Sequence, residues 1–449
     1  MSRDQRLVLA IAVLASFVSF LDGTVVNVAL PAIMRELGGG LATQQWVVDA
    51  YLVTLGALIL VAGSLSDVYG RIRILRIGVI GFGVASIAIA AAPTPELLVV
   101  ARAVQGIAGA LLVPSSLALI TANFRDAAQA RAIGIWTAMT TGAMVAGPLI
   151  GGLFVDFLSW RFAFLINVLP IAATLILLVV LGHEDIRRQD ATIDWLGAVL
   201  CTVGLGGPVF ALIEQANLGW GNPAIYLSMG VGALAFIGFI VRQRLAVQPK
   251  MPLSLFRVRN FWTGNVATAF IYGALSLNGF ALSVYLQQGA GLRATLAGLA
   301  FLPSTIIMIL FSSRVGALSG RYGPRLFMTI GPLIMGAGSF LLLRVSKDFN
   351  YWGQVLPYVL VFGIGLTLTV TPLTSAILGS IESERSGIAS AVNNAVSRVA
   401  GLLVIAMLAP IIGGQLDLPG FHRGAVVTAS MMLVGALVSF AGIRRSVDG

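Results

Sequence analysis

Apolar runs of about 18–25 residues recur from one end of this chain to the other, separated by short polar segments. A helix rises about 1.5 Å per residue, so each run is long enough to cross the ~30 Å hydrocarbon core of a bilayer. Fourteen spans are predicted: about 7–32, 46–65, 74–92, 97–120, 133–154, 163–182, 195–213, 224–241, 262–286, 294–313, 326–343, 353–378, 388–412 and 425–443. The short alternating segments of a membrane β-barrel are not seen. The pattern therefore predicts an all-α polytopic membrane protein. The first run follows Arg3 and Arg6 as a signal peptide would. No small-residue cleavage site follows it, and the apolar stretch continues past Asp22, so it reads as an uncleaved first span.

Charge sharpens the topology. Only 10% of the 449 residues are charged, yet the net charge is +10. In a soluble protein that balance would suggest nucleic acid. Here the basic residues are sorted between alternate loops. The two ends and every second loop hold twenty: Arg3, Arg6, Arg71, Arg73, Arg76, Arg125, Arg131, Arg187, Arg188, Arg242, Arg244, Lys250, Arg257, Arg259, Arg314, Arg321, Arg325, Arg385, Arg444 and Arg445. The remaining loops hold six, and Arg102 and Arg398 lie within spans. Basic loops stay cytoplasmic, so both termini are expected in the cytoplasm, and the protein is expected to span a bacterial cell (inner) membrane.

The chain also repeats itself. GSLSDVYG at 63–70 and GALSGRYG at 316–323 share five of eight residues, 253 positions apart. Duplicated halves are common in secondary transporters. Six spans need about 190 residues, so the offset leaves room for an extra helix pair. The expected organisation is a six-helix bundle over 1–182, a two-helix insertion over 183–245 and a second six-helix bundle over 246–449. No loop is long enough to fold as a soluble domain. Cys201, His183 and His422 are scattered, so no disulfide, metal or cofactor is expected. Nor is there a phosphate-cradling motif or a nucleophile elbow, which argues against an enzyme or an ATP-driven pump.

Asp22 stands in the middle of the first span. A carboxylate there costs roughly 2.5–3.5 kcal/mol on insertion scales. It reads either as a structural group bonding a neighbouring helix or as a protonatable group in a central cavity. Arg102, about five residues into the fourth span, is the natural partner at similar depth, unless it snorkels to the outer surface. Asp49, about three residues into the second span, reads as an outer-vestibule carboxylate or an ordinary helix-start residue. Arg398, with Asn393 and Asn394 one turn before it, is either a cavity group or the anchor of a polar network. Gly147 and Gly151 share one helix face and permit close helix approach, and Pro148 bends that helix. Phe17, Phe20, Trp136, Tyr272, Phe280 and Tyr285 are candidates for an aromatic cavity lining.

Seven segments occur in order: LDGTVVNVALP, QWVVDAY, GSLSDVYGRIRIL, ARAVQGIAGALLVP, GAMVAGPLIGG, WRFAFLINVLP and IEQANLGWGNP. Together they resemble the fourteen-helix drug:proton antiporter family of the major facilitator superfamily, over nearly the whole chain. The resemblance implies two six-helix bundles that alternate access to a central site. It implies proton coupling through Asp22 and Arg102, with Asp49 the next proton-coupling candidate, and a cytoplasmic latch formed by Gly63, Asp67, Gly70, Arg71 and Arg73. Val68 and Ile72 depart from the usual latch pattern, where a basic residue is common. Gly142, Gly147, Pro148, Gly151 and Gly152 match the antiporter signature of the fifth span, found in exporters. The expected function is proton-coupled export, by a monomer, of amphipathic and cationic drugs or toxic compounds. Export of an endogenous metabolite or lipid, and import of sugars or organic anions on the same fold, are the alternatives. The charge pattern predicts that a reporter fused after Ser346 reads outside and one fused after Gly449 reads inside; the reverse signals would overturn the topology.

Overall fold

The computed structural model describes residues 1–182, 192–246, 249, 251–381 and 386–444. His183 and the charged stretch holding Arg187 and Arg188, as well as Lys250, Arg385 and Arg445, lie outside the described residues. The described residues form seventeen α-helices: α1 (Arg3–Leu37), α2 (Leu41–Tyr69), α3 (Arg71–Ala90), α4 (Pro95–Asn123), α5 (Asp126–Phe157), α6 (Phe162–Leu165), α7 (Val168–Leu181), α8 (Trp195–Leu218), α9 (Pro223–Leu245), α10 (Arg259–Gln288), α11 (Ala294–Leu299), α12 (Leu302–Tyr322), α13 (Pro324–Ser339), α14 (Leu356–Leu378), α15 (Ser386–Ala406), α16 (Leu408–Ile412) and α17 (Leu418–Gly442). They supply fourteen stretches long and apolar enough to cross a membrane, the number read from the sequence. Several run beyond their apolar windows because local chemistry ends them later. Ser2 and Gln5 form a reciprocal capping box that starts α1. Thr94 caps α4 ahead of Pro95, so α4 begins before its apolar window.

The chain divides into two compact units. The first comprises 1–211, 222–250 and 293–298; the second comprises 212–221, 251–292 and 299–449. Their internal packing follows one plan. In the first, α1 lies on α5 and α7, and α4 lies on α2 and α3. In the second, α10 lies on α15 and α17, and α14 lies on α12 and α13. The repeated octapeptide explains part of this likeness. Gly70 (φ 102°, ψ 140°) and Gly323 (φ 86°, ψ 152°) sit in the same positive-φ conformation, which only glycine adopts readily. Each donates its N–H to the repeat's conserved-in-place serine, Ser66 or Ser319, and each starts the next helix.

Helices α8 and α9 pack through glycine. A Cβ on Gly207 would lie 2.4 Å from the Ser228 carbonyl oxygen, and one on Gly204 about 3 Å from Phe236. Trp46 and Phe210 meet with ring centroids 6.3 Å apart, which seats α8 on α2. Asp194, just before α8, ties the pair together. It accepts from the Gly197 N–H at 2.9 Å, from Arg242 Nε at 2.8 Å and from Gln243 Nε2 at 3.3 Å. Burial acts to raise its pKa, but these bonds, led by Arg242, outweigh it and hold the carboxyl below its ordinary value. A carboxyl lowered in the folded state stabilises at neutral pH, and that contribution fades as pH falls below the ordinary value toward the native one. Asp194→Ala should therefore lower the thermal midpoint of the detergent-solubilised protein at pH 7, and the deficit against wild type should shrink in strongly acidic buffer.

Candidate functional site

Asp22 sits nineteen residues from the start of α1 and fifteen from its end, fully buried. Arg102 and Gln105 lie three apart on one face of α4 and meet it there. Arg102 donates to Asp22 Oδ2 at 2.5 Å, and Gln105 Nε2 donates to Asp22 Oδ1 at 3.0 Å. Asn167, between α6 and α7, donates to the same Oδ1 at 3.3 Å. Ser86 of α3 accepts from both Gln105 and Asn167. Arg102 does not snorkel: it is 1% exposed, donates through Nε to the Val47 carbonyl at 2.9 Å, and places its guanidinium 4.4 Å from the Tyr51 ring centroid. Tyr51 in turn bonds Ser19 of α1. A buried ion pair is tolerated only when its remaining hydrogen-bonding capacity is met, and here helices α1 to α4 and the α6–α7 junction meet it.

Glycines make that convergence possible. A Cβ on Gly106 would lie 2.4 Å from the Tyr51 carbonyl oxygen, so α2 and α4 touch backbone to backbone. Gly147 and Gly151 of α5 press on Thr24 and Val25 of α1, the turn that carries Asp22. Gly152 faces elsewhere: its Cβ would lie 2.6 Å from the Thr295 Cα at the start of α11. A Cβ on Gly298 of the same short helix would lie 2.3 Å from the Pro148 carbonyl oxygen, again leaving no room for a side chain. Asp156 completes that contact by accepting the Ala294 and Thr295 N–H groups at 3.1 and 2.8 Å. Gly142 has open space around it and takes no part in this packing.

Asp49 lies eight residues into α2, deeper than its apolar window suggested, because α2 begins at Leu41. It is fully buried, and neither carboxylate oxygen has a hydrogen-bond partner. It is thus neither a helix-start group nor an open-vestibule one. The expected latch loop is helical apart from Gly70: Asp67 in the last turn of α2 and Arg71 at the start of α3 are 3.7 Å apart, Arg71 also reaches the Ala118 carbonyl, Arg73 is exposed, and a Cβ on Gly63 of α2 would meet open space.

In the second unit, Asn393 of α15 donates to Asn265 and Thr268 of α10 at 3.1 and 2.8 Å. Asn394 instead bonds its own helix, at the Ser390 carbonyl. Arg398 is half-buried and within electrostatic reach of Tyr272 on α10. The aromatic candidates divide. Phe280 is buried in packed interior, while Tyr285, stacked on Phe421 at 4.1 Å, borders an open cavity together with Gln288, Lys347 and Asp417. Trp136 is also buried and donates to Ser16 at 2.9 Å, while Phe17, Phe20 and Tyr272 keep accessible surface.

Sequence reasoning missed Gln105, Asn167, Ser86 and Asp156. The first two stood inside the quoted motifs ARAVQG and WRFAFLIN; a polar side chain amid an apolar run was the available signal. It also missed Glu36, which pairs with Arg161 and accepts from Trp160 Nε1 at 2.6 Å.

Two helical units of common plan, with a charged pair sealed inside one of them, define a membrane transporter rather than an enzyme. The chain belongs to the Major Facilitator Superfamily, whose family model matches residues 12–405. It is 33% identical to the multidrug resistance protein Stp of Mycobacterium tuberculosis, over 93% of this chain and 78% of that one. It is 33% identical to the puromycin resistance protein pur8 of Streptomyces alboniger (89% and 80%) and 31% identical to the methylenomycin A resistance protein of Bacillus subtilis (90% and 87%). Fourteen spans and drug-resistance relatives agree with the fourteen-helix branch the motifs resemble. A solved peptide transporter in complex with sulfate shares the fold, with TM-score 0.71 at 15% identity, covering 97% of this chain and 94% of that one. The protein is accordingly a multi-pass membrane transporter of small molecules.

The contacts of the glycines separate two classes of variant. Gly106→Ala should destabilise the detergent-solubilised protein by about 1–3 kcal/mol, since backbone must yield. Gly142→Ala should stay within about 0.5 kcal/mol of wild type. Equal thermal midpoints for the two would contradict the packing described.

Proposed function

We propose that the protein is a proton-coupled exporter of amphipathic drugs or toxic compounds, with Asp22 as the proton carrier and Arg102 as its fixed countercharge. The observation that carries this reading is the sealed Asp22 network. Arginine does not lose its proton in practice, so a proton arriving at Asp22 must be accommodated by rearranging Arg102, Gln105 and Asn167. That couples the occupancy of one carboxylate to the packing of four helices. Names of relatives support the export direction: resistance to puromycin or methylenomycin A is what removal of a compound from the cell would confer.

Asp49 is the second proton-handling residue in this reading. An isolated buried carboxyl without hydrogen-bond partners suits a proton on it and needs new partners once the proton leaves. The α2–α3 junction of Gly63, Asp67, Gly70, Arg71 and Arg73 serves as the conformational latch, and the α5 glycines hold the proton-bearing turn of α1 in register. The three-part division at 182 and 245, cytoplasmic termini and a monomeric state belong to the same reading. Proton entry down a 100 mV potential contributes about 2.3 kcal/mol per charge to uphill export. The cationic character of the cargo follows from the resemblance to the antiporter family, while Asp22 and Asp49 are both fully buried.

The test is export from proteoliposomes under an imposed pH gradient. Asp22→Asn should abolish uphill movement and cargo-driven proton release while cargo binding, followed by tryptophan fluorescence, survives. Asp49→Asn should reduce the rate or the number of protons moved. Arg102→Ala should uncouple transport by leaving Asp22 without its countercharge. Uphill export by Asp22→Asn at wild-type rate and proton stoichiometry would make Asp22 structural.

A further inference from the structure

Every group bonded to Asp22 is a donor. Oδ2 receives Arg102 Nη1 at 2.5 Å, and Oδ1 receives Gln105 Nε2 at 3.0 Å and Asn167 Nδ2 at 3.3 Å. That set suits a carboxylate. A carboxylic acid carries a hydrogen of its own and needs an acceptor for it. Asp22 is fully buried, so an O–H left unpaired there is costly. When a proton arrives, one of the groups around it has to turn from donor to acceptor.

Two of the three are barred from doing so. Arg102 has no acceptor atom. Gln105 is oriented by its own oxygen, which accepts from Arg102 Nη1 at 2.5 Å, while its amino group serves both Asp22 and Ser86. Turned over, it would aim an N–H at the guanidinium. Asn167 has no such anchor. Its Nδ2 donates to Asp22 Oδ1 and to Ser86 Oγ, both at 3.3 Å, and its Oδ1 is buried without a hydrogen-bond partner. Ser86 is its complement. Its oxygen accepts from Gln105 and Asn167, and among the described residues its own hydrogen has no acceptor. A half-turn of the Asn167 amide places Oδ1 between Asp22 and Ser86, where it accepts from an acid O–H on one side and the serine hydroxyl on the other. With Asp22 ionised, the same half-turn sets oxygen against oxygen. One end of the amide is unpaired in either orientation, so the choice between them is decided at Asp22.

The other titratable groups around the cluster do not replace this acceptor. Arg102 keeps its charge. Tyr51 of α2 lies over the guanidinium and bonds Ser19. Asp49, also on α2, bonds none of these residues. Helix α3 and the α6–α7 junction present the neutral Ser86 and Asn167, and α5 meets this turn of α1 through Gly147 and Gly151.

Resting on the reading of Asp22 as the proton carrier, we infer that Asn167 is a positioning residue whose amide donates to the ionised carboxylate and turns over to accept the O–H of the acid. The proton then sits on Oδ1, with Gln105 still donating to that oxygen and Arg102 still beside Oδ2. The first response to a proton is the rotation of one side chain at the α6–α7 junction. A two-state side chain biased by one proton is an element through which charge acts on packing.

The test is infrared difference spectroscopy between alkaline and acidic buffer, on the full-length protein in lipid nanodiscs with its asparagines labelled by carbon-13 at Cγ. A protonated Asp22 shows as a carboxylic-acid carbonyl band that is missing in Asp22→Asn. The expected result is that one labelled amide carbonyl moves to lower frequency together with this band, because Asn167 Oδ1 gains hydrogen bonds it lacked. The amide shift should vanish in Asp22→Asn and in Asn167→Thr, and become smaller in Ser86→Ala. The acid band itself should move in Asn167→Thr, whose rotating hydroxyl replaces the amide. Asn167→Ser assigns the amide band independently of Asn167→Thr. An acid band with no accompanying amide shift overturns the inference and leaves Asp22 as the proton carrier. An amide shift that survives in Asp22→Asn, or one to higher frequency, overturns it too. No acid band that depends on Asp22 overturns both the inference and the carrier reading it rests on.

Discussion

The buried ion pair between Asp22 and Arg102 is the constraint around which the first unit is arranged. Removing both charges from water costs several kcal/mol per ion, and the pair's attraction repays this only with good geometry and satisfied remaining bonds. Every element of the arrangement follows from that requirement. Gln105 and Asn167 fill Oδ1, Val47 offers a carbonyl, and Tyr51 offers a ring face. Glycine at 106 lets α4 approach α2, and glycines at 147 and 151 let α5 approach α1, so four helices close around the pair. A hydrophobic pair of the same volume could make the unit as stable; what it could not do is respond to a proton.

The two units share a packing plan but differ in polarity. In the first, carboxylates are sealed among donors. In the second, amides and hydroxyls bond across the α10–α15 contact, and helices α10 to α17 carry no acid. Duplication of a fold has therefore left the two units with different polar interiors. The duplicated glycine turn persists in both halves because its positive φ admits almost no other residue.

Asp49 illustrates how a helix boundary changes a chemical reading. From hydropathy, α2 begins near Trp46 and Asp49 belongs to the interface. In the fold, Gly40 starts the helix and the aspartate lies about 12 Å inside it. Apolar windows end where polar residues begin, but a helix continues through Gln44 and Gln45 when the fold buries them.

Hydropathy and charge in the chain were sufficient for the all-helical class and the fourteen spans, because in a bilayer every backbone polar group must be satisfied within its own helix. The same local rules made Asp22 and Arg102 conspicuous, since an intramembrane charge is costly wherever it ends up. What they bond to was not legible. Gln105, Asn167 and Ser86 come from three different helical segments, and Asp156 reaches an element 138 residues away. Nor could hydropathy separate Phe280, packed in the interior, from Tyr272, at an accessible seam, since both are aromatic residues on one helix. Side-chain partners across helices depend on rotation and close approach, which hydropathy does not encode and only the packed tertiary structure decides.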